Sequence, residues 1–214
     1  MHGLPVSIAI YCADPGSVRN DSFGWWGGSG GNEQGGRLPS QLATAMAADL
    51  RSGKTVLLGF ESPLSFPVPF DEQQLGSARP GESNRPWSAG AGATIATYGA
   101  VQLGWVLRAL REQAPDGTLL ADWNQVMAGH AGLYLFEAFV SGHAKTKGSD
   151  SHIGDARLAV EAVRERGMPI DQEWMKTTVP VFCVGGAALL QAGWAHDLHL
   201  MSRPLPIVFV GSIR

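Results

Sequence analysis

Three short apolar runs constrain this chain more than anything else in it: Ile8-Ala9-Ile10-Tyr11, Thr55 to Phe60, and Leu133-Tyr134-Leu135-Phe136. Each is bounded by turn residues and shows no polar alternation, which is the pattern of a strand in a sheet covered on both faces. With helical segments interleaved between them, the chain reads as one α/β domain. Each run also leads into an acid. Asp14 stands at the mouth of the first, ahead of the turn Pro15-Gly16; Glu61 follows Phe60 directly, and Glu137 follows Phe136.

Between the runs the punctuation is clear. Ser17 to Asp21 turns the chain back into Ser22 to Trp26, the second strand of a hairpin. Gly27 to Gly36 reads by composition as a flexible surface loop, and no Gly-Lys-Ser/Thr follows it to make a phosphate loop. Ser40 is expected to cap a helix whose apolar face carries Leu42, Ala45, Met46 and Leu50 and which ends at Ser52-Gly53. Pro63, Pro67 and Pro69 stop regular pairing, and Asp71 to Trp87 is a long excursion over the surface. The small residues Ser88 to Thr94 lead into a helix over Ile95 to Arg111, with Val101, Trp105 and Leu107 among its apolar residues. Its free N–H groups could receive an anion with Arg85 upstream, although an ordinary loop-to-helix junction is the simpler reading.

Later, Ser141 to Ser151 is a polar loop bearing Lys145 and Lys147. A helix follows to about Arg166, with an apolar stripe of Ala156, Ala159, Val160 and Val163. His152 and Asp155, three residues apart, project from one side of its start. Val179 to Trp194 is expected as a buried helix and Ile207 to Val210 as the last strand.

Sixteen basic against nineteen acidic residues leave a formal net charge of −3, so any contact with a phosphate backbone must be local. Cys12 and Cys183 both lie in apolar runs, which points to buried thiols and a reducing, cytoplasmic setting. The first residues lack the pattern of a signal peptide, and the most apolar late window is interrupted by Gly185-Gly186, so no membrane span is expected.

Carboxylate oxygens suit hard divalent ions such as Mg²⁺ or Mn²⁺, and two such ions about 4 Å apart can clamp the attacking and leaving oxygens of a phosphoryl displacement. That chemistry needs acids from separate elements. Asp14, Glu61, Glu137 and Asp155, with His152 beside the last, have that distribution. Any one of them alone has an ordinary reading as a turn residue, a strand end or a helix-dipole partner.

The order of strand with Asp14, hairpin, helix, strand with Glu61, and late helix opening at Asp155 resembles the ribonuclease H-like superfamily. Asp14-Pro15-Gly16-Ser17 is similar to the first-strand motif of Holliday-junction resolvases, and His152 with Asp155 to their last motif. The Glu61-Ser62-Pro63-Leu64 turn and Phe136-Glu137-Ala138-Phe139 look most like a family of predicted nucleases of unknown function in that superfamily. The resemblance implies a mixed central sheet with helices on both faces, residues 1–214 forming one domain with a long loop insertion around 66–93. It implies Asp14, Glu61 and Asp155 as metal ligands, completed by Glu137 or His152, two Mg²⁺ or Mn²⁺ ions activating water, and a nucleic-acid substrate. Lys145, Lys147, Arg157 and Arg85 would then be phosphate contacts, and otherwise are solvated charges.

Two other classes compete. A nucleotide-binding relative of actin-like ATPases would use the glycine-rich segment to cradle phosphates, but the chain is short for their duplicated domain pair. A non-catalytic interaction module of the same fold would be favoured by exposed Trp25, Trp26 and Trp87.

Overall fold

The computed structural model describes residues 8–82, 87–141, 144–148 and 150–211. In chain order the strands are β1 (Ile8–Asp14), β2 (Gly24–Ser29), β3 (Asn32–Gly36), β4 (Thr55–Phe60), β5 (Ser65–Pro67), β6 (Gly132–Val140), β7 (Val181–Cys183) and β8 (Ile207–Val210). The helices are α1 (Pro39–Arg51), α2 (Gly90–Gln113), α3 (Trp123–Met127), α4 (Ser151–Arg166) and α5 (Val184–Gln191). Six strands make one sheet in the order β3-β2-β1-β4-β6-β8, and β5 pairs with β7 in a separate two-stranded sheet. Within the large sheet only the pairings made by β2 are antiparallel, so the sheet is mixed.

The three apolar runs are its centre, and period-2 alternation sorts their side chains between two cores. Ala9, Tyr11, Val56, Leu58, Leu133 and Leu135 pack under α1, α2 and α5. Ile8, Ile10, Cys12, Leu57, Tyr134 and Phe136 face the other way, towards Ala156, Ala159, Val160 and Val163 of α4. Helices therefore cover both faces, as parallel strands in a continuous apolar centre require.

Several expectations are corrected. Gly27 to Gly36 is the end of β2 and all of β3, paired Gly27 with Gln34 and Ser29 with Asn32. A Cβ at Gly27 would lie 2.3 Å from the carbonyl oxygen of Ile10 and 2.6 Å from the Tyr11 ring, so here glycine serves close strand packing rather than looseness. Pro39 takes the first position of α1, with Leu38 as a cap that offers no side-chain bond, and Ser40 lies inside the first turn. Helix α2 starts at Gly90, ahead of Ile95, and exposes Val101 and Trp105 while burying Leu103, Val106, Leu107 and Leu110. The segment from Val179 divides into β7 and α5, because Val181-Phe182-Cys183 pairs with Ser65-Phe66-Pro67 despite the proline. At the junction the Cys183 sulfur accepts from the Gly186 N–H, capping α5.

Arg79 ties the excursion after β5 to the sheet. The Arg79 side chain is 0% exposed and donates to Glu82 (2.7 Å), to Glu137 (2.8 Å) and to the Ser65 carbonyl (2.8 Å). Its guanidinium lies 5.6 Å from the centre of the Phe139 ring and 5.4 Å from that of Trp174. Among the described residues, no helix is long and apolar enough to cross a membrane.

Candidate metal centre

At the C-terminal ends of β1 and β4, side by side in the sheet, alternation turns Asp14 and Glu61 to the face that α4 covers. Asp14 follows Ile8, Ile10 and Cys12 in register, and Glu61 follows Leu57 and Gly59. The Glu61 N–H bonds the Ala13 carbonyl at 2.8 Å, which continues the β1–β4 pairing past Phe60 and fixes the backbone of both acids. Helix α4 brings Asp155 from above. Its first turn can approach because β2 has glycine opposite Asp14: a Cβ at Gly24 would lie 2.4 Å from the His152 carbonyl carbon.

Asp14, Glu61 and Asp155 thus come together from three separated segments, all buried, each offering an oxygen within 4.8 Å of the others. Each is also oriented by the surrounding chain. His152 Nδ1 and Asp14 Oδ2 are 2.5 Å apart. Thr146 donates twice to Asp155 Oδ1, from its N–H at 2.7 Å and its hydroxyl at 2.8 Å. The Val140 N–H donates to Glu61 Oε1 at 3.3 Å. Lys145 reaches between the acids, its ammonium 3.1 Å from Glu61 Oε1 and 3.3 Å from Asp155 Oδ2.

Electrostatically the cluster is short of positive charge. Burial, and then the charge of Asp14, push the Glu61 carboxyl up to about 8. Burial also raises Asp14, against the pull of its hydrogen bond with His152 and the Lys145 charge. The same bond to Asp14 raises His152. Burial pulls Lys145 down, but the charges of Glu61 and Asp14 outweigh it and leave the ammonium above its ordinary value. Among the described residues, Glu61 Oε2 is buried without a hydrogen-bond partner. An unpartnered carboxylate oxygen in a cluster of three buried acids is what a cation would satisfy, so these residues could hold a metal ion.

The other expected residues fall elsewhere. Glu137 is not at a strand end, because β6 runs on to Val140. It follows Leu133 and Leu135 in alternation, which turns it to the opposite face from Asp14 and Glu61, where Arg79 takes it at 2.8 Å. Lys145, expected at a phosphate, lies instead among the carboxylates. Lys147 is exposed on the same loop. Arg157 is turned along α4 to Glu161 at 2.7 Å and lies 5.5 Å from the centre of the Trp26 ring. Arg85, the charge expected upstream of the start of α2, lies outside the described residues. Two contributors escaped the sequence reading, Thr146 and Gly24. A threonine nine residues before an aspartate carries no motif, but a glycine facing the acid of the neighbouring strand is a legible sign of close approach.

Fold and site together define an α/β protein with a buried carboxylate triad at one end of a mixed sheet. Comparison with protein-family models, with curated proteins and with solved structures gives no significant match.

Proposed function

We propose that this chain is a metal-dependent phosphodiesterase, a nuclease of ribonuclease H-like fold. The observation that carries the reading is the convergence of Asp14, Glu61 and Asp155 within 4.8 Å. The strand order with only β2 reversed, and α4 returning an acid to the ends of β1 and β4, agrees with the resemblance to that superfamily. Oxygens on one Mg²⁺ stand at most about 4.2 Å apart, twice its usual bond length. Acids spread over up to 4.8 Å therefore suit a slight closure onto one ion or sharing between two Mg²⁺ or Mn²⁺ ions.

Bound metal would supply activation of water and neutralisation of charge on the phosphodiester. The chain's own part is orientation: His152 holds Asp14, Thr146 holds Asp155, and the Val140 N–H holds Glu61. The same hydrogen bonds fix the carboxylates before substrate arrives, which lowers the cost of organising them during reaction. Nucleic acid is the proposed substrate, in local contact at the mouth of the site, with Lys147, exposed two residues beyond Lys145, as the proposed phosphate contact.

The competing classes lose the features they leaned on. The glycine-rich segment is a β-hairpin rather than a phosphate-cradling loop. Trp25 is buried, while Trp26 and Trp87 are half-buried, the latter donating its indole N–H to the Ser77 carbonyl. The test is cleavage of end-labelled single-stranded DNA, duplex DNA and RNA with Mn²⁺ present. Cleavage that disappears with a chelator and falls more than about 100-fold in Glu61→Gln agrees with the proposal, since even partners of metal ligands cost 10–100-fold. No cleavage of any of them, or equal cleavage by the variant, contradicts it.

A further inference from the structure

Among the described residues, Lys145 is the one cation seated directly on two members of the triad, and its placement differs from that of an ordinary surface ion pair. The backbone beside it is fixed, because the Thr146 N–H donates to Asp155 at 2.7 Å and the single hydroxyl proton is shared between the Ser151 carbonyl at 2.5 Å and Asp155 at 2.8 Å. The lysine side chain itself is 46% exposed, and its bonds of 3.1 and 3.3 Å are longer than the roughly 2.7–2.9 Å of close charge-assisted pairs. Only a flexible stem would have to move for the ammonium to leave.

A divalent ion would compete with this ammonium, because both oxygens of Asp155 are already engaged, Oδ1 by Thr146 and Oδ2 by Lys145. Mg²⁺ would draw carboxylate oxygens to about 2.0–2.1 Å, and Lys145 already engages Glu61 and Asp155. Two cations sharing those acids would repel each other at a distance where screening by water is weak. We propose that Lys145 is a tethered counter-ion: it occupies the cation position of the triad in the metal-free protein and is displaced when a divalent ion binds. The metal-free site is then partly neutralised from within, and metal loading frees a positive charge at the rim of the same site. This inference rests on the metal-centre reading above.

The test is calorimetric titration of Mn²⁺ into the full chain, wild type against Lys145→Met and Lys145→Arg. A lysine that occupies the site in nine molecules of ten lowers apparent affinity about tenfold, because only the open fraction is competent. The expected result is binding about tenfold tighter in Lys145→Met, with no gain in Lys145→Arg, which keeps the charge. Equal or weaker binding by Lys145→Met overturns the counter-ion role while leaving the metal centre standing. Absence of Mn²⁺ binding in both wild type and Lys145→Met removes the metal centre itself, and the counter-ion role with it.

A second measurement needs no variant. Reductive methylation of the wild type, followed by tandem mass spectrometry at Lys145, should proceed faster when Mn²⁺ is present. Unchanged or slower modification at Lys145 on adding Mn²⁺, in protein shown to bind it, would equally overturn the proposal.

Discussion

Two clusters of buried acids lie on opposite faces of the same sheet, and they are built to different ends. Beside Glu137 and Glu82 sits Arg79, with a side chain 0% exposed, a rigid fork of donors divided between both acids, and aromatic rings nearby. Beside Asp14, Glu61 and Asp155 sits Lys145, a single ammonium on a 46%-exposed stem reaching in from a loop. Among the described residues, one oxygen of Glu137 also lacks a hydrogen-bond partner, as Glu61 Oε2 does. Orphaned oxygens therefore do not separate the clusters. Access and the nature of the cation do: a guanidinium in a closed site fixes structure, whereas a half-exposed ammonium can be exchanged.

If that contrast is right, the two clusters must fail differently. Arg79→Met should destabilise the fold by about 3–5 kcal/mol in urea unfolding, because it leaves Glu137 and Glu82 buried without their counter-ion. A loss below about 1 kcal/mol would mean that the excursion is not held to the sheet by this residue. On the other face, His152→Ala should leave unfolding nearly unchanged and weaken Mn²⁺ binding about 10–100-fold, the usual effect of removing a group that orients a metal ligand. An unaltered affinity there would make the His152–Asp14 contact incidental.

The dependence on pH sharpens the contrast further. Glu61 has a folded value of about 8 against an ordinary 4.5, so the folded state keeps a proton that the unfolded state releases. Its contribution to stability is complete below about 4.5 and is lost as pH rises through about 8. Asp14 is raised as well and has the same sign. Thermal melts of metal-free protein should therefore fall by a few degrees between pH 6 and pH 9, and Glu61→Gln should flatten that slope. Mn²⁺ replaces the proton, so the gap between metal-loaded and metal-free melting temperatures should widen over the same range. The smallest effect belongs to Arg157→Ala. Its pair with Glu161 is exposed and its loss should cost no more than about 0.5 kcal/mol, with Mn²⁺ binding intact.

Much of the centre was legible because buried parallel strands have a distinct composition. Ile8 to Tyr11, Thr55 to Phe60 and Leu133 to Phe136 lie where their apolar runs put them, and the acids after the first two come together. Glu137 misled because a charge ended the apolar run while the strand went on. What permits a carboxylate inside β6 is Arg79, 58 residues away, and no local pattern announces such a partner. Counting alternation from Leu133 would still have placed Glu137 on the wrong face for Asp14. The glycine-rich segment misled for another reason, since composition describes an isolated chain and Gly27 answers to Ile10 and Tyr11 of the neighbouring strand. Lys145 was visible as a charge on a loop, but its direction is fixed by Thr146 bonding to Asp155, a tertiary contact.

The central claim is that Asp14, Glu61 and Asp155 form a divalent-metal centre, and calorimetric titration of Mn²⁺ into the wild-type protein and Asp14→Asn tests it most directly. The account predicts saturable binding by the wild type at or below millimolar concentration, lost in a variant that still unfolds cooperatively. A wild type that binds no divalent ion at millimolar concentration, or an Asp14→Asn that binds as tightly, would contradict it.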